Sequence, residues 1–116
     1  MFAQTWRNKM KIANDIQTIQ QHIQANKLSL LYVKAPNCGV CTVFRKQVGE
    51  ILATLPTIAG IETDIRQVPE IATYYHILTA PAVLFFAEGK EIFRSARYIN
   101  MAELRERLVQ YSEVYG

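Results

Sequence analysis

The sequence predicts an α/β fold: a central mixed β-sheet of parallel strands with a C-terminal antiparallel hairpin, and helices on both faces. Three observations predict it. Short apolar runs alternate with stretches of helical periodicity, as in parallel strands joined by helices. A Glu88-Gly89 turn between two apolar runs indicates a hairpin. The 116 residues, half of them hydrophobic, are enough for a single domain over 1–116 with a buried core.

The first third of the chain predicts a helix followed by a strand. Residues 1–11 carry no strong pattern and are expected to form an arm or a short first strand. Isoleucines recur at spacings of four, three and four residues over 12–23, which predicts an amphipathic helix over about 14–27. The next six residues, 28–33, are almost all apolar, which is typical of a strand covered on both faces.

The middle of the chain predicts a helix, a strand and a short helix. An apolar stripe at spacings of three and four residues indicates a helix over about 38–55, which Pro56 ends. Residues 57–64 predict a strand that Gly60 weakens. A proline in the first helical turn fits a short helix over 69–75.

The C-terminal third predicts the hairpin and a last helix. Residues 82–86 and 91–94 flank the Glu88-Gly89 turn. Asn100, followed three residues later by Glu103, resembles a capping box at a helix start. The predicted buried face of this helix consists of Leu104, Leu108, Tyr111 and Tyr115. Strands separated by helices are expected to pair in parallel, and the hairpin adds an antiparallel edge.

The stretch Asn37–Cys41 carries the chemistry. It holds the only two cysteines, Cys38 and Cys41, separated by Gly39-Val40 at a predicted helix start. A helix N-terminus favours an anion, so the first thiol ionises more easily than a free one. The second thiol lies on nearly the same helical face and can close a small ring with the first. The pattern predicts dithiol–disulfide exchange, with Cys38 as nucleophile and Cys41 as resolving thiol, rather than two inert cysteines.

Metal binding is the other chemical use of two cysteines at this spacing. A structural zinc site needs four ligands, but the only histidines are His22, on the predicted polar side of a helix, and His76, at a helix end. We therefore expect no intrachain metal site and no bound cofactor. A metal or cluster shared between two chains through the cysteines stays an open alternative.

Charge and hydropathy argue against nucleic acid and membranes as partners. The formal charge of +3 comes from scattered basic residues, which argues against nucleic-acid binding. No apolar run approaches the roughly 20 residues that span a bilayer, and the N-terminus lacks the apolar segment of a signal peptide. We therefore expect a cytoplasmic protein with no membrane contact. Since no exposed apolar stripe demands a dimer, we expect a monomer.

A second local pattern follows the short helix. Residues 75–86 contain Ala80-Pro81 at the start of an apolar strand, and Asp64 ends the strand before them. Together with the C-x-x-C at a helix start, this segment resembles the thioredoxin family, and the resemblance extends over residues 12–113. It implies a thioredoxin fold and a thiol–disulfide oxidoreductase that needs no bound cofactor.

The resemblance also implies roles for residues beside the cysteines. Pro81 is either a proline that merely starts a strand or the family's cis-proline, which faces the cysteines. A cis-proline would align the backbone of Ala80 to pair with an extended substrate segment, and an uncharged Ala80 would keep metal ions from the thiols. Gly39 and Val40 complete the expected substrate-binding surface.

Five positions depart from the family's pattern. Asn37 replaces an aromatic residue, Val40 replaces the proline between the cysteines, Tyr32 replaces a buried carboxylate, Gly60 replaces the lysine that accompanies it, and Lys46 replaces a proline that kinks the helix. The resemblance therefore indicates a divergent member with altered redox tuning and proton handling.

Two of the remaining side chains have alternative roles near the thiols. Tyr32 either packs as a core aromatic or places its hydroxyl near Cys41 to assist proton transfer. A phenol titrates near pH 10, so it is a poor base at neutral pH. Lys34 either lowers the pKa of a nearby thiol by its positive charge or is simply solvated.

The predicted activity is reduction of protein disulfides. The expected partners are a disulfide-containing protein substrate and an electron donor, which is either a thioredoxin-reductase-like enzyme or a small thiol. A glutaredoxin-like variant that uses glutathione is a weaker alternative, because no further motif for holding glutathione is present. The competing class is a non-catalytic thioredoxin-fold interaction or redox-sensing module.

Overall fold

Residues 10–115, the part of the chain that the computed structural model describes, form five strands and four helices. The elements in chain order are β1 (Lys11–Ile12), α1 (Ile16–Ala25), β2 (Leu28–Lys34), α2 (Gly39–Ala53), β3 (Ala59–Asp64), α3 (Glu70–Tyr75), β4 (Ala82–Ala87), β5 (Lys90–Ala96) and α4 (Met101–Tyr115). The first strand expected within residues 1–11 appears as β1, while the arm predicted for residues 1–9 lies outside the described part.

The strands form one mixed sheet in the order β1-β3-β2-β4-β5. β3 pairs in parallel with both β1 and β2. β4 pairs antiparallel with β2 and with β5. Glu88 and Gly89, at φ angles of 51° and 81°, form the tight turn between β4 and β5, as the sequence predicts. The predicted mixed sheet is confirmed.

The parallel pairing expected for strands separated by a helix holds for β2 and β3 but is wrong for β4. Helix α3 has six residues, so it advances only about 9 Å, whereas a six-residue strand spans about 20 Å. The helix therefore does not carry the chain back along the length of β3, and the strand register sets Asp64, the last residue of β3, beside Lys34 and Ala82, the first residue of β4, beside Val33. β4 therefore starts at the edge where β3 ends, and runs in the opposite direction beside β2.

Helices cover both faces of the sheet, as predicted. Side chains of α2 and α4 pack on one face in a cluster that includes Phe44, Val48, Leu104 and Leu108. Side chains of α1 and α3 pack on the other in a cluster that includes Ile16, Ile19, Ile23 and Ile71. Because both faces are covered, β2 and β4 are buried along nearly their whole length.

Gly60 allows β3 to approach α2 closely. A Cβ atom at this position would lie 2.7 Å from Leu52 Cδ1 and 2.8 Å from Met10 Cγ. The glycine that weakens the strand prediction therefore permits the packing of β3 against the helix that carries the cysteines.

Two helix boundaries, each fixed by a local cap, and one strand boundary differ from their predicted positions. Helix α1 begins at Ile16 because the Asp15 carboxylate accepts a 2.7 Å hydrogen bond from the Thr18 N–H; Ile12 lies outside the helix and is 64% exposed. Helix α2 ends at Ala53, where the Thr54 hydroxyl donates to the Ile51 carbonyl. Strand β3 begins at Ala59 rather than at residue 57.

The predicted cap of the last helix is confirmed. The Asn100 side-chain oxygen accepts a 3.0 Å hydrogen bond from the Glu103 N–H. None of the helices within residues 10–115 combines the length and the apolar character needed to cross a bilayer.

Candidate active site

Strand β2 delivers the cysteines to the start of α2. The connecting turn passes through Asn37, whose φ of 59° lies in the left-handed region. Asparagine adopts this conformation more readily than most residues, and an aromatic residue would be strained there. Cys38 follows as the N-cap of α2, and Gly39 and Val40 form its exposed first turn.

The two cysteines are joined as a disulfide, with Cα atoms 5.3 Å apart. Their environments differ: Cys41 is 3% exposed, whereas Cys38 is only half-buried. The Cys38 sulfur also accepts a 3.2 Å hydrogen bond from the Cys41 N–H. One sulfur is therefore accessible and held at a helix N-terminus, and the other is shielded by protein.

The peptide bond between Ala80 and Pro81 is cis, so Pro81 has the isomer that the resemblance implies. Pro81 is buried and Ala80 is half-buried, directly before β4. The register of β4 on β2 sets Ala82 opposite Val33, so the Ala80-Pro81 dipeptide lies at the end of the sheet from which the chain leads to Cys38. The structure thus brings both sequence motifs to one edge of the sheet.

Tyr32 packs as a core aromatic residue, and its hydroxyl also contacts the backbone of Cys41. The side chain is fully buried in the core, and its hydroxyl donates a 2.5 Å hydrogen bond to the Cys41 carbonyl. Burial, followed by the nearby Glu62 carboxylate, raises the pKa of Tyr32 to about 12. The hydroxyl therefore stays protonated at neutral pH and holds the first turns of α2 as a hydrogen-bond donor.

A buried carboxylate is present, although the sequence analysis did not single it out. Glu62 lies directly opposite Tyr32 in the pairing of β3 with β2, and its side chain is 3% exposed. One carboxylate oxygen accepts a 2.5 Å hydrogen bond from Arg45 Nε, and Lys34 Nζ lies 3.9 Å from the other oxygen. A buried carboxylate therefore lies beside position 32 on the neighbouring strand and is paired with a cation of the helix that carries the cysteines.

One feature of the sequence would indicate Glu62, although the residue was not predicted. Residues alternate between the two faces of a strand, so an acid in the middle of β3 must face one of two covered layers. Such a buried acid requires a cation, and Arg45 supplies it one turn after Cys41 on α2. Lys34, 43% exposed, belongs to the same group and is neither simply solvated nor isolated.

The described residues contain no cluster of three or more histidine, cysteine or acidic side chains that could hold a metal ion. The prediction that His22 faces solvent is wrong. His22 is 9% exposed, and its Nε2 lies 3.1 Å from the Ala59 carbonyl, to which it donates. This ring joins α1 to the start of β3.

Exposed apolar side chains gather on the segments that surround the cysteines. Seven large apolar side chains are exposed within residues 10–115. Four of them lie on the start of α2, beside Ala80-Pro81, or on the β5–α4 loop: Val40, Val43, Leu78 and Tyr98. Apolar side chains concentrated around a reactive pair are typical of a surface that contacts other proteins.

Comparison with known proteins agrees with this geometry. Residues 10–111 match the family model described as Thioredoxin. The thioredoxin-like protein YdfQ of Bacillus subtilis is 29% identical over 98 residues, which cover 84% of this chain and 88% of that protein. The thioredoxin-like protein YusE of the same organism is 30% identical over 91 residues, covering 78% of this chain and 85% of that protein.

A solved structure shows the same fold. The solution structure of oxidised thioredoxin from Plasmodium falciparum matches with a TM-score of 0.81 at 20% identity, over 90% of this chain and 99% of that one. The predicted thioredoxin fold is therefore confirmed. With the family match extending over residues 10–111 and the cysteine pair closed at the head of α2, the chain belongs to the thioredoxin family and is a thiol–disulfide oxidoreductase.

Proposed function

We propose that this protein reduces disulfides of other proteins, with Cys38 as the attacking thiol and Cys41 as the resolving thiol. The observation that carries the proposal is the difference in burial between the two residues at the start of α2. The half-buried Cys38 is accessible to a substrate sulfur. Cys41 is only 3% exposed, so it is accessible to Cys38 but not to a substrate. This division matches what the two steps of the reaction require.

In the first step, the reduced Cys38 thiolate attacks one sulfur of the substrate disulfide. A bond forms between Cys38 and that sulfur, and the other substrate sulfur leaves as a thiolate. The Cys41 N–H at the helix N-terminus favours the attacking anion. In the second step, the Cys41 thiolate attacks Cys38 and releases the second substrate sulfur, so two electrons pass to the substrate and the Cys38–Cys41 disulfide forms.

The substrate segment is proposed to lie across Gly39, Val40 and Ala80-Pro81. The exposed first turn of α2 and the exposed Leu78 support this position. A thioredoxin-reductase-like enzyme, or two molecules of a small thiol that leave as their own disulfide, then returns two electrons to the Cys38–Cys41 disulfide. We also propose that the protein acts as a monomer in the cytoplasm, a compartment in which a cysteine pair is more often catalytic than structural.

The test is turnover of a protein disulfide with a small thiol as electron source. We expect Cys38→Ser to abolish turnover, and Cys41→Ser to accumulate a covalent complex with the substrate through Cys38, visible by mass spectrometry. Thr42→Ser serves as the matched control, since Thr42 is an exposed hydroxyl residue on the same helix. If Cys38→Ser keeps the parent's turnover, Cys38 is not the attacking thiol and the proposal is wrong. If the parent shows no turnover above that of the small thiol alone, the role of the protein is that of a non-catalytic module.

A further inference from the structure

The loop between β5 and α4 contacts both segments of the candidate site. The Arg97 N–H donates a 2.7 Å hydrogen bond to the carbonyl of Pro81. The ring of Tyr98 packs edge-on against the ring of Phe44, with centroids 6.0 Å apart, and Phe44 lies on α2 one turn beyond Cys41. Arg97 and Tyr98, called here the Arg97–Tyr98 corner, therefore lie between the cis-proline and the helix of the cysteines.

Arg97 holds a backbone conformation that its side chain disfavours. Its φ is 69°, in the left-handed region where glycine is unstrained and where asparagine and aspartate are tolerated. The turn itself would form more easily with glycine. A strained residue beside a reactive site is a reason to ask what its side chain does.

The guanidinium of Arg97 has no acidic partner within the described part of the chain. Ion pairs over residues 10–115 join Lys34 and Arg45 to Glu62 and Arg94 to Glu91, and none includes Arg97. Residues 1–9 contain no aspartate or glutamate. Arg97 is exposed, and the adjacent Tyr98 is 77% exposed. The corner thus offers an unneutralised cation beside an accessible aromatic ring.

Two other cations at this end of the sheet, Lys34 and Arg45, lie beside carboxylates. Lys34 lies opposite Asp64 in the register of β2 and β3, and it also approaches the Glu62 carboxylate at 3.9 Å. Arg45 forms an ion pair with Glu62. Arg97, whose backbone contacts Pro81, is therefore an exposed cation without an ion pair among the described residues, next to the path proposed for the substrate segment.

We propose that the Arg97–Tyr98 corner selects protein substrates whose disulfide is flanked by acidic residues. A guanidinium binds a carboxylate in a two-point hydrogen-bonded arrangement, and Tyr98 offers apolar area for the stem of the same side chain. Arginine and tyrosine are also the side chains on which interface affinity most often depends. The inference rests on the proposed reduction of protein disulfides and names the class of substrate for that site.

The test compares two disulfide peptides of one sequence, with either Glu or Gln at the two positions on each side of the cysteine. The measurement is the second-order rate constant for their reduction by the reduced protein, normalised to reduction of each peptide by dithiothreitol. At low salt we expect the parent protein to prefer the Glu peptide by about two- to five-fold, the range of an exposed ion pair. Rising ionic strength should shrink the preference.

Three variants assign the preference to the corner. Arg97→Asn keeps a residue that accepts the left-handed conformation and should abolish the preference, while Arg97→Lys should retain most of it. Arg105→Asn, which removes an exposed cation from α4, should leave it unchanged. If Arg97→Asn folds poorly, Arg97→Gly, which also fits this φ, replaces it. Equal normalised rates for the two peptides with the parent protein, or an equal loss in Arg97→Asn and Arg105→Asn, would overturn the proposal.

Reduction of hydroxyethyl disulfide distinguishes the proposed role of the Arg97–Tyr98 corner from disulfide reduction itself. That disulfide is small and uncharged, so the parent and Arg97→Asn proteins should reduce it at the same rate. Its reduction without any peptide preference refutes the role of the corner and leaves disulfide reduction intact. Failure to reduce both this compound and the peptides refutes disulfide reduction itself.

Discussion

The buried ion pair beneath the active-site helix gives a sharp prediction about stability. Arg45→Met is expected to destabilise the protein more than Glu62→Gln, although each substitution removes the same ion pair. The reason is the difference in burial between the partners: the Glu62 side chain is 3% exposed and the Arg45 side chain is 34% exposed. A charge left without its partner costs more where water cannot reach it.

The expected magnitudes follow from these environments. Without Arg45, the Glu62 carboxylate keeps only Lys34, at 3.9 Å, so the free energy of unfolding should fall by about 3–5 kcal/mol. Glu62→Gln leaves a guanidinium that can turn to solvent, so its cost should be about 1–2 kcal/mol. For a chain of 116 residues, 1 kcal/mol corresponds to about 4 °C in Tm. The two variants should then differ in Tm by roughly 10 °C.

The assay is urea denaturation of the oxidised protein, followed by circular dichroism. Lys46→Met is the matched control, since Lys46 is an exposed cation on the same helix with no ion pair over residues 10–115, and its effect should stay within about 0.5 kcal/mol. Replacing both partners, as Arg45→Met with Glu62→Leu, should recover stability relative to Arg45→Met alone. The reasoning is refuted if Glu62→Gln costs more than Arg45→Met, or if the double variant is the least stable of all.

Two further predictions concern the packing around the cysteines. Tyr32→Phe removes the hydroxyl that donates to the Cys41 carbonyl, so the free energy of unfolding at neutral pH should fall by about 1 kcal/mol. Disulfide turnover should not change, since a group with a pKa of about 12 does not act as the base at neutral pH. Lost turnover in Tyr32→Phe would contradict this. Because folding raises the pKa of Tyr32, its protonated form stabilises the parent below pH 10, and this advantage over Tyr32→Phe should disappear between about pH 10 and 12 in urea titrations at each pH. Gly60→Ala should destabilise by about 1 kcal/mol in thermal melts, because its Cβ would lie under 3 Å from Leu52 and Met10. Gly39→Ala, with nothing within 4 Å of the added carbon, should leave the stability unchanged or raise it. An equal loss of stability in Gly60→Ala and Gly39→Ala would show that the close packing around Gly60 is not the cause.

The sequence alone was sufficient for features that depend on neighbouring residues. The apolar run of β2, the cysteine at the head of α2 and the Glu88-Gly89 turn each follow from a local pattern with its own physical cause. The cis-proline followed from the resemblance to the family rather than from any local pattern, because a proline at a strand start fits either isomer. The chemistry of the cysteine pair could therefore be predicted before the fold was known.

Local sequence patterns were insufficient where a contact joins distant segments. The buried carboxylate could not be identified along β2, because Glu62 lies on the neighbouring strand, opposite Tyr32. The periodicity of its helix places His22 on the polar side, although the ring reaches the carbonyl of Ala59. No local pattern indicated a role for Arg97, whose contact with Pro81 joins residues 16 positions apart.

The sequence by itself determined the element types, the position of the reactive pair at a helix start, and the family. Each of these is encoded within a few residues, through side-chain periodicity, capping and turn chemistry. Only the tertiary structure decided the direction of β4, the Glu62–Arg45 pair under the cysteines and the position of Arg97 beside the cis-proline. These depend on strand register and on which distant segments become neighbours, and both are fixed only when the whole sheet and its covering helices pack together.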